Sequence, residues 1–265
     1  MLNVDNKYKF YEASVQNAEA EVDFLAKQYA RLNKKKPLVL REDFCGTGTI
    51  ACEWIKSSPE RIAWAIDLDG VPIRYGMKKH WQELSESDKQ RLRFIKADVL
   101  KAHKVKADII AAMNFSYCIF KERALLLKYF QSAHEALLPK GMFFLDIFGG
   151  PDSQMPCEER RRYSGFTYHW ECQKFNPINN HAKFAIHFST KETPTKVRKY
   201  KNVFTYDWRL WNIVELREIL IEAGFKKTIV YWEGDGPKGR GDGIFRPKEN
   251  EENSASWVAY VGAQK

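Results

Sequence analysis

Between residues 8 and 32 the apolar positions Ala18, Val22, Leu25, Ala26 and Tyr29 recur at helical spacing, and the following K-K-K-P ends that helix. A short apolar strand, P-L-V-L, then runs into L-R-E-D-F-C-G-T-G (40–48), and I-A-C-E-W-I follows at helical spacing again. Four further short apolar runs come next: I-A-W-A-I-D (62–67), L-R-F-I-K-A-D (92–98), D-I-I-A-A-M-N (108–114) and G-M-F-F-L-D-I-F (141–148). Helical segments at 72–84 and 122–138 lie between them. Short strands alternating with amphipathic helices predict a doubly wound α/β fold, mostly parallel, with helices on both faces.

The rhythm changes at Pro151. G-F-T-Y-H-W-E-C and A-K-F-A-I-H-F-S alternate like antiparallel strands around the turn-rich N-P-I-N-N-H, which predicts a β insertion over 151–205. Helical spacing returns in I-V-E-L-R-E-I-L-I-E-A-G-F, stopped at Gly224, and K-T-I-V-Y-W-E and S-W-V-A-Y-V-G supply two last strands. The expected organisation is a helical segment (1–37), a core (38–150), the insertion (151–205) and a return to the core sheet (206–265), seven strands in all. G-D-G-P-K-G-R-G-D-G (234–243) reads as a mobile loop.

Composition changes this picture in two places. The net charge is +9, and the insertion carries ten Lys and Arg against five Asp and Glu, so it supplies +5 of that total. An anionic partner, RNA included, becomes worth considering, although nucleic acid is not the favoured reading. The five cysteines are odd in number, scattered and never in a C-x-x-C pair, which argues against a disulfide framework or a zinc site. The first residues lack the apolar stretch of a secretory signal and no run is long enough to span a bilayer, so a cytoplasmic protein without membrane contact is expected.

In an open parallel sheet ligands bind across the carboxyl ends of the strands. Those ends carry Glu42 and Asp43, Asp67 and Asp69, Asp98, and Asn114. Gly46 and Gly48 give a tight turn at a helix start. Asp67 falls about 20 residues beyond them, the distance at which a carboxylate reaches a ribose diol. G-T-G-T-I-A also fits a dinucleotide pattern, so NAD is an alternative. Acids before the turn would repel its diphosphate and would suit a sulfonium and an ammonium group instead. Asp98 could accept from an adenine amino group or cap a turn.

Taken in order, L-R-E-D-F-C-G-T-G, A-I-D-L-D, I-K-A-D-V, M-N-F-S-Y and L-L-P-K-G-M-F-F-L-D resemble the successive motifs of class I S-adenosylmethionine-dependent methyltransferases. The resemblance implies S-adenosylmethionine as cofactor, with Glu42 as the acid ending the first strand, Gly46 and Gly48 in the loop, and Asp67 and Leu68 at the ribose. It further implies Asp98 and Val99 at the adenine, Asn114 and Phe115 beside the methionine moiety, and Tyr11, with Tyr8 and Phe10, closing over the cofactor. Phe44 stands where the family has a glycine, so the backbone there approaches the ligand differently, or Asp43 shares the acid's role. Arg41, a guanidinium in an apolar strand, needs a partner: a neighbouring carboxylate or the cofactor's own.

Methyl transfer requires mainly that the acceptor be positioned, so no catalytic residue is assigned. His169, Glu171, His187 and Tyr117 are candidates for proton removal. The insertion resembles the antiparallel roof of small-molecule methyltransferases, with Tyr117, Tyr168 and Trp170 as candidate substrate contacts. The expected activity is methylation of a small molecule or a protein side chain. An RNA methyltransferase using the basic insertion is the runner-up, followed by an NAD-dependent oxidoreductase and a non-catalytic cofactor-binding module.

Overall fold

The computed structural model describes residues 2–101, 105–193, 195–236 and 241–265. Two helices lead the chain, α1 (Val4–Val15) and α2 (Ala18–Asn33), where the spacing predicts one. The break comes at Gln16, which is extended, and Asn17, whose side chain accepts from Ala20 N–H at 3.3 Å and caps α2. Val22, Leu25 and Tyr29 form the buried face of α2.

Then come β1 (Val39–Asp43), α3 (Thr49–Lys56), β2 (Ile62–Asp67), α4 (Gly70–Gly76), α5 (Glu86–Arg91), β3 (Leu92–Lys96), β4 (Ala107–Ala112), α6 (Arg123–Ala136) and β5 (Leu137–Gly149). A π-helical turn, Met77–Trp81, prolongs α4. The second sheet consists of β6 (Cys157–Tyr163), β7 (Phe166–Asn176), β8 (His181–Lys191) and β9 (Val197–Arg209). After it, α7 (Ile213–Glu222), β10 (Lys227–Asp235), β11 (Gly241–Pro247) and β12 (Trp257–Gln264) complete the chain.

The main sheet has eight strands in the order β11-β10-β12-β5-β4-β1-β2-β3. Strands β5 to β3 along that order are parallel, and β10, β11 and β12 are antiparallel. The eighth strand, β11, takes up the end of the stretch expected to be a mobile loop; Gly234 and Asp235 already belong to β10, and 237–240 lie outside the described residues. Ile109 and Ile110 face opposite sides of β4, and the core divides accordingly. α2 and α3 cover one face and α6 and α7 the other. Four strands, not two, make the second sheet, in the order β6-β7-β8-β9. Its aromatic face packs on α1, where Phe10 stacks on Phe166 at 4.2 Å, and on the main body through Trp170, Phe184 and Trp208.

One buried carboxylate joins α2 to the main sheet. Asp108 accepts from Tyr29 Oη at 2.9 Å and from the N–H groups of Leu38 and Val39 at 2.9 and 3.0 Å. Asp108→Ala would leave three donors without their acceptor, so a loss of about 2–5 kcal/mol is expected in urea unfolding. A loss below about 1 kcal/mol would show that water replaces the carboxylate there.

Candidate active site

The loop between β1 and α3 is held from below and from the side by carboxylates. Gly48, the N-cap of α3, has no side chain with which to cap it, and Glu42 caps the helix in its place, its Oε2 accepting from Ala51 N–H at 2.9 Å. Asp67, at the end of β2, accepts from Gly46 N–H through Oδ2 and from Asp69 N–H through Oδ1, both at 2.8 Å. Burial raises the pKa of both acids, and the backbone N–H bonds oppose the shift. Phe44, Gly46 and Gly48 all have left-handed backbones, with φ of 56°, 55° and 72°. Phe44 thus holds a backbone that a glycine would adopt without strain, while its ring packs against Phe120 and Tyr129. A Cβ on Gly48 would lie 2.4 Å from the Phe94 ring, whereas one on Gly46 would meet nothing, because that position opens on a cleft.

The cleft, of about 310 Å³, lies across the carboxyl ends of the strands. Its floor comes from the loop, Asp67 and Asn114; Tyr8, Tyr11 and Gln16 close one side; Phe204, Tyr206 and Trp208 form another wall. Gln16 is fixed there by Thr49 Oγ1, which donates to its Oε1 at 2.9 Å. Burial raises the pKa of the Tyr11 and Tyr206 hydroxyls, so they stay protonated at neutral pH.

Of the residues expected at the cofactor, Tyr11, Phe44, Gly46, Asp67 and Asn114 line this cleft. Several others do not. Arg41 and Asp43 are fully buried and paired with each other, Nε to Oδ1 at 2.7 Å and Nη2 to Oδ2 at 2.9 Å, and Tyr129 Oη donates to the same carboxylate at 2.9 Å. Arg41 is therefore committed to its own strand, and Asp43, neutralised by it, cannot repel a diphosphate. Glu42 and Gly48 support the loop from behind. Val99 is in the core; Asp98 accepts from Leu100 N–H at 2.9 Å and caps its turn. Leu68, by contrast, is 67% exposed beside Asp67. Phe115 turns away from the cleft onto Phe148 and Trp208.

The expected substrate contacts also move. Tyr117 is buried in the core, Tyr168 packs against Phe188, and Trp170 stacks on Phe184 at 4.9 Å. The second sheet does reach the cleft, but through the next strand but one: F-T-Y-D-W (204–208) alternates with period two, which presents Phe204, Tyr206 and Trp208 on one side. That alternation was available in the sequence as a signal.

Two acids just outside the lining of the cleft are absent from the sequence-based expectation. Asp146 of β5 accepts from the N–H groups of Asn114 and Phe115 at 2.9 and 2.8 Å, holding two consecutive left-handed residues in place. Glu21 of α2 is partly exposed as a residue, yet its Oε2 is sealed and has no hydrogen-bond partner. Thr47 Oγ1, in the glycine loop, is a second sealed oxygen without a partner. Burial raises Asp146 to about 7. Burial, with the Asp146 charge added, raises Glu21 to about 8. A lone Asp within the apolar run F-L-D-I-F was the available signal for Asp146.

The candidate bases His169, Glu171 and His187 face away from the cleft. Glu158, Glu171 and His187 do bring ligand atoms within 4.8 Å of one another, as a metal would require. However, Asn202 N–H donates to His187 Nδ1 at 2.7 Å, so the neutral ring carries its proton on Nε2 and donates it to Glu171 Oε2 at 3.0 Å. No lone pair is left for a cation. His169 and Glu158 continue the network, with Arg160 and Lys199 on the same carboxylate.

No protein-family model matches the sequence, and no curated protein matches it. Solved structures do. An S-adenosylmethionine-dependent methyltransferase from Clostridium acetobutylicum aligns over 99% of both chains at 16% identity, with a TM-score of 0.70. An amino pentose methyltransferase from Micromonospora echinaspora covers 100% of this chain and 98% of its own at 12% identity and 0.69. A sugar N-methyltransferase from Streptoalloteichus covers 97% and 91% at 16% and 0.64.

A pH test follows from Glu21 and Asp146. Both folded-state pKa values, about 8 and about 7, lie above the ordinary carboxylate range, so the folded chain holds more protons than the unfolded one between those limits. The contribution of these two groups to stability falls as pH rises through that window. Glu21→Gln removes one of the two groups; relative to wild type it should gain stability from pH 5 to 8 in urea unfolding, and a gap that does not change with pH would refute the assignment. Across nearly its whole length, the chain has the fold of the S-adenosylmethionine-dependent methyltransferases.

Proposed function

We propose that this protein is a methyltransferase that uses S-adenosylmethionine to methylate a small-molecule acceptor. The observation that carries the reading is a set of acids at and behind the cleft: Asp67 in its lining, Asp146 under the Asn114 backbone and Glu21 with its unpartnered Oε2, with no cation paired to any of them among the described residues. A sulfonium and an ammonium group satisfy such a set, and a diphosphate does not. These acids, and not Asp43, disfavour the diphosphate of NAD.

S-adenosylmethionine, when bound, supplies an electrophilic methyl group on a positively charged sulfur. Asp67 would hold the ribose, with exposed Leu68 and the Asp98–Val99 turn beside the base. Glu21, Asp146 and Thr47 Oγ1 would meet the amino-acid end. Tyr11 and Gln16 exclude water from one side, and Phe204, Tyr206 and Trp208 offer an aromatic wall to an acceptor. The fold neighbours that act on an amino pentose and on a sugar nitrogen support a small acceptor. With the histidines of the second sheet turned away, the described cleft presents no imidazole, and the Tyr11 and Tyr206 hydroxyls are its hydrogen-bond donors for orientation. An acceptor amine that arrives unprotonated needs nothing more.

Calorimetric titration with S-adenosylmethionine, S-adenosylhomocysteine and NAD tests the reading directly. The first two should bind and NAD should not; binding of NAD alone would overturn it. Because a bound cation favours the ionised form of Glu21 and Asp146, S-adenosylmethionine binding at pH 7 should release protons, visible as a heat that depends on buffer ionisation. Proton uptake would contradict the assignment. Asp67→Ala should weaken S-adenosylmethionine binding by about 1.5–3 kcal/mol, the range for a hydrogen bond to a charged group. Unchanged affinity in a folded variant would remove Asp67 from the site.

A further inference from the structure

A second concavity, of about 420 Å³, opens beside the cleft. It is lined by Leu2 and Lys7 from the start of the chain and by six consecutive residues of β9, Arg198 to Val203. Four of these are cations, Lys7, Arg198, Lys199 and Lys201, and none is an acid. Arg198 is engaged by Glu192 at 3.1 Å and Lys199 by Glu158 at 3.3 Å. Lys7 and Lys201 have no carboxylate partner among the described residues; Lys7 Nζ instead sits 4.4 Å from the centre of the Phe204 ring. β9 is also the edge strand of its sheet, so one side of its backbone has no strand partner.

The two cavities are neighbours. Lys7 lines both, and the step from Val203 to Phe204 carries β9 from the basic concavity into the aromatic wall of the cleft. A molecule that fills the cleft against Phe204 therefore has a positively charged hollow within reach of its far end. Unneutralised cations in a walled recess attract an anion more strongly than the same cations on an open surface, because the walls displace water.

Resting on the methyltransferase reading, we propose that this hollow binds an anionic ester, a phosphate or diphosphate, carried by the methyl acceptor, and so selects acceptors that bear one. The chemical split is clear: acids about the glycine loop for a cationic cofactor, lysines beyond Phe204 for an anionic acceptor tail. With eight lining residues, the hollow has room for a phosphate or diphosphate ester but not the length to track a nucleic-acid strand.

The test uses the full chain first saturated with S-adenosylhomocysteine, then titrated calorimetrically with inorganic pyrophosphate at low ionic strength. Saturable binding is expected, weakened roughly tenfold or more in Lys201→Glu, as for a lost charge-assisted contact. Lys226→Glu, which changes net charge equally at a site outside the hollow, should leave that affinity unchanged. No saturable binding at millimolar pyrophosphate overturns the proposal. Equal affinity in Lys201→Glu, or equal loss in Lys226→Glu, overturns it as well, since attraction would then be to net charge alone. A single-stranded RNA oligonucleotide that binds far more tightly than pyrophosphate, with a steep salt dependence, would overturn it in favour of a nucleic-acid acceptor. Failure of S-adenosylhomocysteine to bind in the first step sinks the methyltransferase reading, and with it the acceptor role of the hollow, whatever pyrophosphate does.

Discussion

Carboxylates at the carboxyl ends of the strands stay buried here because loop N–H groups meet them. Asp67 takes the N–H of Gly46, Asp146 takes those of Asn114 and Phe115, and Glu42 takes that of Ala51. Each bond offsets part of the cost of removing a charge from water, and each fixes a loop in return. The left-handed residues Asn114 and Phe115 would not hold such backbones alone; Asp146 over-determines them. The cleft lies where these loops meet.

The second sheet has two unlike faces with separate roles. The aromatic face joins α1 to the main body through stacked and edge-on rings, and it brings Phe204, Tyr206 and Trp208 to the cleft. On the other face, His169 and His187 stand opposite each other across β7 and β8, each hydrogen-bonded to a glutamate. That network is satisfied within itself and stiffens the sheet. It places the histidines, the obvious acid–base candidates by residue type, on the side away from the cleft. The cleft wall is correspondingly apolar and hydroxylic.

The order of strands and helices was legible in the sequence because burial leaves a period: two for strands, near four residues for helices. So was the glycine turn with Asp67 behind it, since a tight turn at a helix start and a carboxylate at a set distance are local patterns. The ordered motifs carried the fold class, which the structural likeness supports. Less legible were the short or edge strands, β6 with its polar run C-E-E-R-R-R-Y and β11 beyond a glycine-rich stretch, because an edge strand need not bury either face. The break between α1 and α2 was hidden for a different reason: Asn17 reads equally as a helix residue and as a cap.

Which polar side chains turn toward the cleft was decided by the tertiary structure alone. Arg41 looked free to grip a cofactor, but Asp43 lies two residues along the same strand and on the same face, and burial makes their pairing compulsory. Glu21 and Asp146 are 125 positions apart in number, on a helix and a central strand, and nothing local to either forecasts that they share one buried site. The aromatic wall came from β9 and not from β7, because the packing of the whole sheet chooses which strand borders the cleft. Sequence determined the elements, their order and the chemistry on offer, since these follow from short-range patterns of burial and turn. Only the assembled fold decided which of those groups are spent on each other and which are left facing an open space.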